Sequence, residues 1–214
     1  MMTGAGTFNI DAGQTVTVSG VVSGAGLITK MGSGTLLLTG TNTFTSKLNV
    51  TGGTLAASSV AALSAAPAAF TADWATLAGP TTYLSATGTI ALGANRGITL
   101  NNGGGLFADA ASILYTASPF AAIGTGASVL RIGNLGATGG LVSLASTAVL
   151  PGATTIDIVQ SGALAGSGLY ADATAWLASG KILGTSAGAL ALVGDSSAAI
   201  DLTNFPLLGI GAAV

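Results

Sequence analysis

Polar and apolar residues alternate along this chain in short runs, and the runs recur. Thr7-Phe-Asn-Ile10, Thr15-Val-Thr-Val18, Thr35-Leu-Leu-Leu38 and Leu48-Asn-Val50 open the series. It continues in Thr89-Ile-Ala-Leu92, Ile98-Thr-Leu100, Val129-Leu-Arg-Ile132, Leu141-Val-Ser-Leu144, Thr155-Ile-Asp-Ile158 and Ile200-Asp-Leu202. A period of two puts successive side chains on opposite faces of an extended strand, so each run predicts a short strand with one apolar face. Gly, Asn, Ser or Asp bounds each run, and these are the residues that turn a chain. Starts fall roughly 8 to 12 residues apart, a rhythm shared by sandwiches, barrels and solenoids.

Two features favour the solenoid. The units share a grammar, with Gly-Thr-Leu at 34–36 and 53–55 and Gly-Thr-Ile at 88–90. The Asn-Gly and Asp-Gly pairs that close antiparallel hairpins are also scarce, Asn102-Gly103 being the one instance in the chain. A unit this short cannot bury its apolar face alone and has to stack on further copies. At roughly 20 residues per coil and about 4.8 Å per strand, the chain would make about ten rungs and a rod on the order of 50 Å.

The stretch from Leu27 to Ala57 resembles the autotransporter-associated β-strand repeat, with the pattern GxGTLxLTGxNTYTGxTxVxxGTLxV. The matching residues are Gly32-Ser-Gly-Thr-Leu-Leu-Leu-Thr-Gly40, Asn42-Thr-Phe-Thr45 and Leu48-Asn-Val-Thr-Gly-Gly-Thr-Leu55. Phe44 stands where the pattern has Tyr, and Ser46-Lys47 replaces a Gly-containing pair. The resemblance implies an all-β fold, a right-handed parallel β-helix, on the exterior of a bacterial cell with a structural role. The handedness comes from the family alone.

Residues 1–57 read as β-helix repeats. The segment 58–87 reads as an Ala-rich insertion or loop, because Ala56 to Phe70 loses the strand rhythm and Pro67 is a breaker. Asp73-Trp-Ala-Thr-Leu77 is expected to bring the chain back to the core, and 88–214 to continue the β-helix. Tyr170, Ala173, Trp176 and Leu177 at helical spacing, stopped by Gly180, predict a short helix near 170–179. The apolar end, Phe205 to Val214, carries no polar cap and reads as cut or covered by a neighbour. Ser196 to Phe205 also loosely resembles segments of long bacterial proteins that carry the same repeat. No basic-then-apolar leader opens the chain, so a piece of a longer exported protein or another route outward is expected.

Composition narrows the function classes. Charged residues are 6% of the 214, against about 25% in ordinary domains. Mean hydropathy is +0.75, yet no run of 18 apolar residues offers a transmembrane helix. Covered surfaces explain the hydropathy better, and copies of the chain itself are the expected cover. A net charge of -2 gives no footprint for nucleic acid or anionic membrane. With neither Cys nor His, thiolate and imidazole chemistry is absent, and no cofactor is expected.

The remaining chemistry is sparse. The acids are Asp11, Asp73, Asp109, Asp157, Asp172, Asp195 and Asp201, scattered at run edges rather than clustered as a β-helix polysaccharide enzyme requires. Asp157, between Ile156 and Ile158, is the acid to test. Gly103-Gly-Gly105 and Gly139-Gly140 lack the Lys-Ser/Thr of a phosphate loop and read as tight corners. Asn42, Asn49, Asn101, Asn102 and Asn134 suit either stacked ladders or turn caps. Trp74, Trp176, Tyr83, Tyr115 and Tyr170 suit packing or subunit contact, with a surface-glycan platform as the rival. Arg96 and Arg131 do not amount to a binding patch.

The sequence therefore predicts a non-enzymatic, self-associating structural β-solenoid of a bacterial surface assembly: fibre, sheath, surface layer or passenger stalk. The rivals are a virion fibre, spike or capsid-decoration protein, and a polysaccharide-active enzyme. No catalytic, cofactor-binding or metal-binding residue is assigned.

Overall fold

A computed structural model describes residues 5–117, 120–123, 128–133, 140–145, 154–158, 163–167, 182–184 and 189–193. The segments 170–179, 196–205 and 205–214 singled out in the sequence lie outside the described residues. The fold is all-β and parallel throughout, a β-solenoid whose chain winds past three faces in turn, the third made of two separate sheets.

The first face has six strands: β1 (Gly6–Asn9), β4 (Ile28–Met31), β7 (Leu48–Val50), β9 (Thr71–Leu77), β12 (Arg96–Asn101) and β15 (Phe120–Ile123). The second has eight: β2 (Thr15–Val18), β5 (Thr35–Leu38), β8 (Gly53–Ala57), β10 (Thr82–Ala86), β13 (Gly104–Ala108), β16 (Ser128–Gly133), β18 (Thr154–Ile158) and β20 (Ile182–Gly184). The third begins as a two-stranded ladder, β3 (Ser23–Gly24) with β6 (Thr43–Phe44). It resumes as β11 (Thr89–Ala91), β14 (Ile113–Thr116), β17 (Leu141–Ala145), β19 (Ala163–Ser167) and β21 (Ala189–Val193).

Period-two patterning becomes columns because neighbouring coils pair in register. On the second face Val16, Leu36, Leu55, Leu84, Leu106 and Ile132 stand one above another. On the first, Ile28, Leu48, Ala75, Ile98 and Phe120 do the same. Ile90, Leu114 and Val142 make the corresponding column of the third. Nearly all are buried, Val16 on the first coil excepted. Each enclosed Leu or Ile contributes roughly 1.5–3 kcal/mol over its exposed state. The cohesion comes from coil lying on coil.

Glycines are required where coils crowd at corners. Gly53 has φ 63, and a Cβ there would lie 2.3 Å from the Gly34 carbonyl oxygen. A Cβ on Gly34 would lie 2.3 Å from the Asp11 carbonyl oxygen.

Within the Ala-rich stretch, Val60–Leu63 form one turn of 3-10 helix, capped by Ser59. This turn occupies the third face above β6: Asn42 N–H donates to the Ala61 carbonyl at 3.0 Å. Residues 64–70 then loop outward, and β9 returns the chain to the first face. The pairing of β9 with β12 slips, since Arg96 faces Thr71 while Ile98 faces Ala75. The extra residues bulge around Trp74, which turns into the core at 2% exposure. Gly97 allows it, because a Cβ there would lie 2.6 Å from the Ala72 carbonyl oxygen.

Candidate functional site

Polar groups enter the interior at specific points, and each spans coils. Lys30 occupies an inward position of β4, in register between Phe8 and Val50, and is fully buried. Its ammonium donates to the carbonyls of Met31 at 2.7 Å, Gly32 at 2.8 Å and Gly52 at 3.0 Å. Burial lowers its pKa below the usual lysine value. The alternation Ile28-Thr29-Lys30 already places Lys30 inward, a signal the sequence reading passed over in treating the run only as a repeat match.

Asn42 is the second interior polar group. Its Oδ1 accepts from Val22 N–H at 2.7 Å and its Nδ2 donates to the Ala62 carbonyl at 2.6 Å. One side chain thus ties three successive coils. It is neither an asparagine stacked on asparagine nor a cap. Asn49 lies in register between Thr29 and Thr76, Asn101 is exposed, and Asn102 takes the left-handed conformation at φ 62. Asn134 lies outside the described residues.

Arg96 is the third. At 3% exposure its guanidinium sits 5.2 Å from the centre of the Trp74 ring. Nη1 donates to the Leu92 carbonyl at 2.8 Å and Nη2 to the Ser64 carbonyl at 2.6 Å. Nε is buried with no acceptor. Burial lowers its pKa, as for Lys30. Trp74 is core rather than platform, and it makes a cation–π floor under a buried charge.

Around this group the outward loop leaves two hollows. One, of about 430 Å³, is lined by residues including Phe44, Thr45, Ser64, Pro67 and Trp74. The other, of about 460 Å³, is lined by Thr41, Asn42, Val60, Ala61, Ser64–Ala66 and Arg96. Ser64, shared by both, holds φ 64 and donates through Oγ to the Phe44 carbonyl at 2.5 Å.

The acids do not converge. Asp11 is exposed, and Asp73 pairs with Lys47 at 2.7 Å on an open surface. The hydrogen bond from Lys47 holds the Asp73 pKa below the usual carboxylate value. Asp109 is half-buried, and desolvation raises its pKa. Asp157 stands in register beside Arg131, with Oδ2 3.9 Å from Nε. Asp172, Asp195 and Asp201 lie outside the described residues. Among the described residues no three acids gather to hold a metal.

The other singled-out positions serve packing. Gly104 and Gly105 lie in β13, where added Cβ atoms would strike Leu77 and the Tyr83 ring. Gly103 takes φ 95 just before the strand. Tyr83 stacks on Phe107 with ring centres 4.3 Å apart, and Tyr115 is half-buried in β14. Arg131 donates through Nη1 to the Pro80 carbonyl at 3.0 Å. Tyr170 and Trp176 lie outside the described residues, as does Gly139.

Among the described residues no helix is long and apolar enough to cross a membrane. No family model matches the chain, and no solved structure matches it. Among curated proteins, the adhesin BmaC autotransporter of Brucella suis biovar 1 (strain 1330) is 52% identical over 52 residues. That stretch is 24% of this chain and 2% of the adhesin, so a quarter of the molecule is similar to part of a far longer autotransporter adhesin.

Proposed function

We propose that this chain is a non-enzymatic structural segment of a bacterial cell-surface protein, a self-associating β-solenoid stalk in an autotransporter-like passenger or surface fibre. The observation that carries the reading is the similarity to an autotransporter adhesin in a chain whose coils stack in register. Its mechanism is mechanical. Backbone hydrogen bonds run along the rod, apolar columns fill it, and Lys30, Asn42 and Arg96 fasten one coil to the next. The separation of the described acids supports a non-enzymatic role, since acid–base cleavage of a glycan needs paired carboxylates.

The test is immunolabelling of the source bacterium with antibodies to this chain. Labelling of intact cells, lost after protease treatment of their surface, is the expected result. Labelling confined to permeabilised cells overturns a surface role. Cleavage of a pectin-like or alginate-like polymer by purified protein, abolished in Asp157→Asn, overturns the non-enzymatic reading.

A further inference from the structure

We propose that the outward loop of residues 64–70 is a cleavage site for an endopeptidase that takes small apolar side chains, cut between Ala68 and Ala69 to leave a rod of two chains. Three observations combine. Ala65, Ala66, Ala68, Ala69 and Phe70 are exposed, and residues 64–70 belong to no helix or strand. The loop spans hollows rather than packed core: Ala65 and Ala66 line both, and Pro67 and Ala68 line one of them. No charged side chain lies between Lys47 and Asp73 to repel or misalign an enzyme. Exposed loop tips built of small residues are where folded chains are nicked, because they can leave the body without emptying a core.

The loop's own residues select the class of enzyme. An endopeptidase takes its substrate extended, as an added strand. Pro67 fixes its own φ and holds Ala66 out of the helical region, so the approach to the bond is already extended. Ala68, just before the bond, presents one methyl group, which suits a small specificity pocket rather than one shaped for an aromatic or a cation. The bond after Phe70, 48% exposed, is the rival. There, however, Thr71 N–H is committed to the Asn95 carbonyl at 3.0 Å as β9 begins. To enter a cleft the loop gives up the bonds from Asn95 Nδ2 to the Pro67 carbonyl, 2.8 Å, and from Thr71 Oγ1 to the Ala69 carbonyl, 3.3 Å. As the C–N bond breaks, water supplies the hydroxyl that completes the Ala68 carboxyl group and the proton that completes the Ala69 amine. The pieces stay joined because ladders cross the cut, β7 with β9 and β8 with β10. Lys47 also pairs with Asp73 at 2.7 Å, and Arg96 Nη2 reaches back to the Ser64 carbonyl at 2.6 Å.

The test treats the full folded chain with pancreatic elastase and, in parallel, with chymotrypsin. Products are read by amino-terminal sequencing, denaturing gel and gel filtration in native buffer. Elastase should give an early product whose new amino terminus reads Ala69-Phe70-Thr71, with fragments that separate on the denaturing gel yet co-elute in native buffer. Chymotrypsin should leave residues 64–70 joined to β9. Ala68→Asp changes an exposed side chain, so it should lose the elastase cut while keeping the thermal unfolding midpoint within a few degrees. A segment 64–70 left whole by elastase, the same cut persisting in Ala68→Asp, or chymotrypsin cutting after Phe70 as readily would each overturn the site. Fragments that part in native buffer would overturn the rod of two chains.

Discussion

The ammonium of Lys30 donates to the carbonyl oxygen of Gly52, one coil further along, at 3.0 Å. It does so from an inward position between Phe8 and Val50, where a hydrocarbon side chain would be the simple choice. The charge caps corner carbonyls, and its cost is desolvation.

That cost gives stability a pH dependence. The folded-state pKa of Lys30 lies below its usual 10.5, so the unfolded chain holds the proton more tightly. Unfolding free energy should rise as pH climbs from the lowered value toward 10.5, then level off. Denaturant unfolding of wild type and Lys30→Met across alkaline pH checks this: the rise should be present in wild type and missing in the variant.

Asp109 has the opposite sign. Its folded pKa is raised above 3.8 by burial, so the charged form costs stability at neutral pH. That cost fades as pH falls from the raised value toward 3.8, and below 3.8 folded and unfolded states both hold the proton. Asp109→Asn should raise the unfolding midpoint at pH 7, and the gain should shrink as pH falls through the raised value toward 3.8 and be absent below it.

Asn42 ties the Val22 N–H and the Ala62 carbonyl in the interior. Asn42→Ala orphans both and should cost about 2–4 kcal/mol, because buried unpaired groups lose their full solvation. Asn49→Ala, at a half-exposed outward position, should change stability by less than about 1 kcal/mol. Equilibrium urea unfolding separates the two.

Corner glycines divide by what lies near them. Gly34→Ala would place its Cβ 2.3 Å from a backbone oxygen of the preceding coil, so a coil must shift, and a loss of at least about 2 kcal/mol is expected. Gly13 has φ 74 but nothing within 4 Å, so Gly13→Ala should cost only the left-handed backbone term of about 1–2 kcal/mol. Calorimetry of both variants checks the order.

Much of the fold was legible because alternation is a local property. Thr35-Leu-Leu-Leu38 and Leu48-Asn-Val50 announce their inward residues whatever surrounds them, and the repeat length shows which coil each will meet. What stayed hidden depends on the neighbouring coil. The bulge that buries Trp74 exists only because Arg96 pairs with Thr71 while Ile98 pairs with Ala75. Nothing in Asp73-Trp-Ala-Thr-Leu77 alone requires it. The third-face position of Val60–Leu63 likewise rests on the donation from Asn42, made across a coil. The buried cations were missed for another reason: charge was weighed as surface chemistry, whereas Lys30 and Arg96 spend theirs on carbonyls inside.

Register between coils is the property on which all of this depends, and a chain without cysteine allows it to be read without background. Cysteines are introduced in pairs at the outward positions Thr29, Asn49 and Thr76, which stand on successive coils. The measurement is disulfide formation under mild oxidant. Parallel coils about 4.8 Å apart predict ready closure for Thr29→Cys with Asn49→Cys and for Asn49→Cys with Thr76→Cys, and none for Thr29→Cys with Thr76→Cys. Failure of both adjacent pairs, or equal closure of the distant one, would contradict the stacked solenoid.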